Sequence, residues 1–449
     1  MRILTFKRVS IVILAALFCL LFKFAFASNP ASQEVSGSSQ PGEVLDVLVA
    51  LVVVLLAAKL GGVFFERIHQ PAVLGELVAG MIIGNIHLLG WDVFEPFKHD
   101  VSLAVLAELG VIILLFEVGL ETTVREMIKV GLTSLLVALL GVMVPFFLGW
   151  TVANWFLPES STLVHIFVGA TLTATSVGIT ARVLKDIGRI HTKEARIILG
   201  AAVIDDILGL IILAVVAGSI SALSSGAANP INSGAVLWII IKAVLFIVGA
   251  VTIGGFVLPH YFNLGLRLKT QGVLLTFSLL VCFLLAFIAG KIGLAPIVGA
   301  FAAGLILEDV HFKDFEGSRE HKLKELLAPL AVFLVPIFFV RMGMLVDLNT
   351  FTQVNILWFA AVLTVAAILG KQICSLAIFE KGINRLAIGL GMIPRGEVGL
   401  IFAGIGAKLM LDGQPVIQAG TYSAIIIMVI VTTLVTPPLL KYVMIPPNK

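Results

Sequence analysis

Charged side chains are scarce in these 449 residues: 13% are Asp, Glu, Lys or Arg, against 59% hydrophobic. A soluble domain carries about twice that share of charge, so the chain is excluded from the soluble enzymes and binding modules. Cysteine is nearly absent. Cys19, Cys282 and Cys374 each sit in an apolar run with no CxxC pair and no His/Cys cluster, which leaves neither a disulfide framework nor a zinc site. There is no glycine-rich nucleotide loop and no soluble segment longer than a short loop, so neither a cofactor nor a nucleic-acid partner is expected.

What fills the chain instead is apolar runs of 18 residues or more, with a mean hydropathy of +1.11. Each run is long enough to cross ~30 Å of hydrocarbon as a helix. Helices satisfy their own backbone groups in lipid, and the runs lack the alternation of barrel strands. The fold class is an all-α polytopic membrane protein whose partner is the lipid bilayer.

At the N-terminus, Arg2, Lys7 and Arg8 precede an apolar stretch, and Ala25-Phe26-Ala27 resembles a cleavage site. Residues 1–27 therefore read as a signal peptide or as an extra N-terminal helix, followed by a polar linker over 28–42. From there to residue 445 about thirteen spans follow. They lie near 43–65, 71–89, 101–119, 130–156, 162–184, 194–218, 234–258, 270–290, 293–308, 324–345, 353–378, 383–408 and 416–441. The positive-inside rule sets the orientation. With the residue-43 end outside, the inner loops collect Arg182, Lys185, Arg189, Lys193, Arg196, Arg267, Lys269, Lys313, Arg319, Lys322, Lys324, Lys381 and Arg385. The outer loops hold little beyond Lys98, Lys291 and Lys408, and Trp91, Trp150, Trp155, Trp238 and Trp358 fall near the outer interface. The expected topology is N-terminus out, C-terminus in.

The chain also repeats itself. Pro71-Ala-Val-Leu-Gly-Glu-Leu-Val-Ala-Gly80 in span 2 matches Pro296-Ile-Val-Gly-Ala-Phe-Ala-Ala-Gly304 in span 9. Leu106-Ala-Glu-Leu-Gly-Val111 in span 3 matches Leu327-Ala-Pro-Leu-Ala-Val332 in span 10. Both pairs are seven spans apart, and an odd offset makes the copies cross in opposite directions. Inverted repeats are the architecture of secondary transporters, with the site at the midplane between interrupted helices.

Asp205 and Asp206, in Gly200-Ala-Ala-Val-Ile-Asp-Asp-Ile-Leu-Gly209, carry the strongest chemical signal. Asp205 lies nine residues past Arg196, about 13 Å into the membrane at ~1.5 Å per residue. A carboxylate at that depth is costly unless paired, hydrated or protonated, so it reads as functional. Desolvation and the like neighbour both favour a bound proton, as an exchanger of protons for a small cation requires. Lys371 lies nine residues before Glu380, at the same depth, and is the natural counter-charge. Two spans look broken. Span 5 carries Thr171-Leu-Thr-Ala-Thr-Ser-Val-Gly178, whose Thr173, Thr175 and Ser176 hydroxyls offer neutral oxygens to a cation. Span 12 carries Gly391-Met-Ile-Pro-Arg-Gly-Glu397, where Pro394 removes a helix hydrogen bond. Arg395 and Glu397 there either pair or compensate the half-helix dipoles. Glu76, Glu108 and Glu117 line an aqueous funnel or sit near an interface, and His191, His311 and His321 fall in inner loops.

Thr173-Ala-Thr-Ser-Val-Gly178, Ile204-Asp-Asp206, Gly370-Lys371 and Pro394-Arg-Gly-Glu-Val-Gly399, in that order, resemble the bacterial monovalent cation:proton antiporter-2 family. The likeness is to its NapA-type Na+/H+ antiporters and covers residues 43–445. It implies an inverted-repeat NhaA/NapA-like antiporter fold with two discontinuous helices, assembled as a homodimer in the bacterial inner membrane. About 43–129 and 270–352 would form the dimerisation part. About 130–218 and 353–441 would form a core that moves like an elevator, with 234–258 as linker helix. Asp206 would be the main Na+ ligand and Asp205 the partner of Lys371. Glutathione-gated potassium relatives typically carry Gln-Asp where this chain has Asp205-Asp206.

An intramembrane aspartic protease also buries two carboxylates, but they must face each other from different helices. Asp205 and Asp206 point about 100° apart on one helix, so no enzyme is expected. The expected function is exchange of Na+, and of Li+, for H+. A K+/H+ exchanger is the alternative, because pocket oxygens rather than the acidic pair set the selectivity.

Overall fold

The computed structural model describes residues 41–68, 70–121, 131–224, 233–267, 272–309, 320–380, 382–411 and 413–444. The leader or extra helix over 1–27, most of the polar linker, Cys19 and His311 lie outside the described residues. Of the described residues, those from 47 onward belong to one compact unit and 41–46 to another.

Helices account for nearly all of the described chain, in the order α1 (Pro41–Arg67), α2 (Ala72–Gly84), α3 (Val101–Glu121), α4 (Leu132–Phe156), α5 (Thr162–Thr171), α6 (Val177–Asp186), α7 (Lys193–Ser224) and α8 (Ser233–Arg267). They continue with α9 (Val273–Lys291), α10 (Pro296–Asp309), α11 (Glu320–Met344), α12 (Val354–Ile373), α13 (Arg385–Gly391), α14 (Gly396–Lys408) and α15 (Ala419–Met444). Among the described residues, nine are long and apolar enough to cross a membrane, and four shorter apolar helices accompany them. The chain is a multi-pass membrane protein.

Several spans differ from their sequence reading in instructive ways. Residues 71–89 do not run as one helix, because α2 stops at Gly84 and hands over to a 3-10 turn at Ile86–Leu89. Buried Asn85 makes that end: its Nδ2 donates to Met81 O at 2.8 Å and Val346 O at 2.7 Å, while its Oδ1 accepts from Leu348 N. A polar cap thus satisfies backbone groups of two chain segments at once. The tight hairpin Met410–Leu411 with Gln414–Pro415 is the sole sheet among the described residues, and it turns at Gly413 with φ +77. Helix α8 runs to Arg267, past the expected end at 258.

Within the larger unit the helices pack in two groups. In one, α3 lies against both α10 and α11, α2 against α11, and α9 against α10. In the other, α4 packs on α5, α7 and α12, and α15 on α12, α13 and α14. Helix α8 touches α7, α9 and α10, so it bridges the groups. Small residues set the closest approaches, since in lipid van der Waals packing rather than hydrophobic burial holds helices together. A Cβ on Gly80 would collide with the Val340 carbonyl of α11, and one on Gly304 with the Phe116 carbonyl of α3. These are the last glycines of the two matching motifs.

Candidate cation-binding site

Both interrupted spans are broken at the expected places. Helix α5 ends at Thr171 and α6 begins at Val177; α13 ends at Gly391 and α14 begins at Gly396. Each gap satisfies part of its backbone within its own half-helix and part across the crossing. Ser176 N donates to Pro394 O at 2.8 Å, Thr180 Oγ1 donates to Gly391 O at 2.6 Å, and Thr175 Oγ1 reaches Met392 O at 3.5 Å. Thr173 Oγ1 turns back to Ala170 O at 2.7 Å. Thr173, Thr175 and Ser176 are all buried, so their oxygens are held away from bulk water.

Gly396 sits at this crossing with φ +30, where a Cβ would come within 2.6 Å of the Ser176 side chain. Glycine is the residue that fits both conditions. Its N–H finds Thr433 Oγ1 of α15 at 3.3 Å.

Arg395 is wholly buried beside the same crossing. Its Nη1 donates to Ala174 O at 2.5 Å and its Nη2 to Ala367 O of α12 at 3.2 Å. The guanidinium therefore places positive charge just past the end of α5, offsetting the negative end of that half-helix. Glu397 follows Gly396 at the start of α14; its side chain lies outside the described residues.

Asp205 lies on α7 and Lys371 in the last turn of α12. Lys371 Nζ donates to Asp205 Oδ1 at 2.9 Å, and both side chains are completely buried. Gly141 on α4 borders the ammonium, and a Cβ there would sit 3.5 Å from Nζ, an ordinary contact. The second carboxylate oxygen, Asp205 Oδ2, is buried and has no hydrogen-bond partner among the described residues. Arg395 is near enough for its charge to act on both Asp205 and Lys371. Asp206 is the next residue on α7 and keeps partial exposure.

The arrangement brings two carboxylates and two cations, Asp205, Asp206, Lys371 and Arg395, to the place where four half-helix ends meet. With all four ionised the cluster is neutral, which is the condition for burying charges in lipid at tolerable cost. A small cation would find carboxylate oxygen on α7 and neutral oxygens at the breaks, the donor set hard monovalent cations accept. Among the described residues no group of three or more His, Cys, Asp or Glu side chains could hold a metal ion.

Two contributors were not singled out from the sequence: Thr180 and Thr433. Thr433 had a readable signal, as one of two adjacent threonines inside an otherwise apolar run. Of the remaining acids, Glu76 and Glu117 line a cavity of about 410 Å³ among α1, α2, α3 and α11. Glu108 instead pairs with Lys408 at the end of α14. His191 is exposed, and the His321 side chain lies outside the described residues.

The sequence and the fold have counterparts among known proteins. The chain is 42% identical over 433 residues to the high-affinity Na+/H+ antiporter NhaS3 of a Synechocystis strain, covering 88% of this chain and 89% of that one. It is 36% identical to the Na+/H+-K+ antiporter GerN of Bacillus cereus over 87% of this chain and 95% of that one. An Na+/H+ antiporter of Enterococcus hirae is 33% identical over 89% and 98%. Among solved structures, the sodium proton antiporter MjNhaP1 of Methanocaldococcus jannaschii superposes with a TM-score of 0.69 over 89% of this chain and 98% of that one. At 17% identity that likeness shows a common fold. Residues 34–445 match the family described as sodium/hydrogen exchanger, transmembrane. The chain belongs to the transmembrane sodium/hydrogen exchanger family.

Proposed function

We propose that this protein exchanges Na+ for H+ through the Asp205–Asp206–Lys371 cluster. The observation that carries the reading is the fully buried Asp205–Lys371 ion pair beside two crossing helix breaks. In one half-cycle Asp206 and Lys371 hold protons and Asp205 serves as the lysine's partner. Cation entry at Asp206 draws on Asp205 as a second ligand, with Thr173, Thr175 and Ser176 oxygens completing the shell. Asp205 then leaves the ammonium, which is costly to keep charged without a partner and releases its proton. Two protons leave for each cation, and the cycle moves one net charge. Li+, a smaller cation of the same charge, fits the same donors.

The packing supports an elevator in which α4–α7 and α12–α15 move as a core against α1–α3 and α9–α11, with α8 as the linker. It also supports the inverted repeat, because Gly80 on α2 meets α11 while Gly304 on α10 meets α3, reciprocal jobs for the two copies. On this reading the chain crosses thirteen times, N-terminus out and C-terminus in, in the bacterial inner membrane. It pairs as a homodimer through the α1–α3 and α9–α11 group. K+ is the second candidate cation, favoured by the 36% likeness to a relative named as an Na+/H+-K+ antiporter.

Proton flux in proteoliposomes, challenged in turn with Na+, Li+ and K+, tests the assignment. Saturable H+ efflux with Na+ and Li+ is the expected result; a response to K+ alone would replace Na+ as substrate.

A further inference from the structure

We propose that a second site, between the two helix groups, binds a single-chain anionic amphiphile: a phosphate or carboxylate on an apolar tail. The site is a cavity of about 410 Å³ whose walls include Val111 of α3, Phe338 of α11 and Ile401 of α14. That volume is within the range of pockets that enclose a small organic ligand. It is separate from the cation site, since none of Asp205, Asp206, Lys371, Thr173, Thr175 and Ser176 lines it.

Arg341 of α11 forms part of the wall and is 8% exposed. Its Nε and Nη1 are buried and have no hydrogen-bond partner among the described residues. A buried cation with idle donors gains from a direct partner, and Asp100 and Glu108 act on Arg341 only at a distance, each bonded elsewhere. Asp100 accepts from Leu103 N at 2.6 Å, at the start of α3. Glu108 is held by Lys408. Tyr422 Oη donates to Met342 O at 2.9 Å. Arg341 lines a mostly apolar chamber whose other charged residues are Glu108 and Lys408, which suits an oxyanion attached to a hydrophobic body. Because the walls come from both helix groups, an occupant would hold α3 and α11 at one spacing from α14.

Binding is the primary test, and it does not depend on transport. The full-length protein in nanodiscs of zwitterionic lipid is titrated with dodecyl phosphate, laurate, dodecyltrimethylammonium and inorganic phosphate, and occupancy is read by native mass spectrometry. One equivalent of dodecyl phosphate or laurate should bind saturably, while the cationic amphiphile and inorganic phosphate should not. Arg341→Gln should weaken binding about tenfold or more, and Arg341→Lys less. Glu108→Gln, at an exposed position, should tighten it several-fold by removing a like charge. Equal binding of the cationic amphiphile or of inorganic phosphate would overturn the proposal. So would affinities unchanged in both Arg341→Gln and Glu108→Gln; if Arg341→Gln does not fold, the Glu108→Gln result decides alone. Slower exchange at saturating dodecyl phosphate would follow only if the two groups also move against each other.

Discussion

Ser176 donates its backbone N–H to the carbonyl oxygen of Pro394 at 2.8 Å, tying the break in one span to the break in the other. Neither break is stable alone in lipid, where an unsatisfied backbone group costs several kcal/mol. The crossing is therefore a single structural unit, and Arg395 is its anchor.

Replacing Arg395 removes two charge-assisted hydrogen bonds, to Ala174 O and Ala367 O. Each is worth about 1.5–3 kcal/mol. Arg395→Gln should lower the melting temperature in detergent by ~5 °C or more, with exchange lost in parallel. Arg395→Lys, which keeps the charge and loses the planar fork, should lie between. An Arg395→Gln protein as stable as wild type would mean the guanidinium does not hold the crossing.

Much of this was legible in the sequence, for a physical reason. Lipid makes polar residues costly, so those that survive in apolar runs stand out: Asp205, Asp206, Lys371 and the Thr173–Ser176 stretch were all visible. Residues that work by being small or by capping were not. Gly169 lets α5 approach α4, where a Cβ would meet the Phe146 carbonyl at 2.7 Å, yet it is one of 42 glycines. Asn85 ends α2 early by serving carbonyls far apart in sequence, which no local pattern encodes. For Arg395 two roles were open, and a pattern of charges along one strand of text does not reveal a carbonyl supplied by another helix.

The threonines at the first break should contribute to binding rather than to turnover. Alanine at Thr173, Thr175 or Ser176 removes one neutral oxygen, worth about 1 kcal/mol, or ~5-fold in affinity. The apparent KM for Na+ should rise by about that factor while maximal rate changes less. If KM stays constant in all three variants, the break is structural and the cation takes its oxygens elsewhere.

Asp206 carries the strongest single requirement. Asp206→Asn should reduce exchange to background while the protein still elutes as a folded, monodisperse species. The substitution keeps size and polarity and removes the charge and the titrating proton. A folded variant exchanging near the wild-type rate would remove Asp206 from the site.

The claim that Asp205, Asp206 and Lys371 together move two protons per cation is tested most directly by voltage. Proteoliposomes are prepared with equal Na+ and equal pH on both sides, and a potential is then imposed. One net charge per cycle couples exchange to the potential by ~2.3 kcal/mol per 100 mV. Wild-type protein should drive Na+ and H+ in opposite directions from the potential alone, and Lys371→Gln should lose that response. Wild-type exchange indifferent to the potential would contradict the account and leave Lys371 a structural charge.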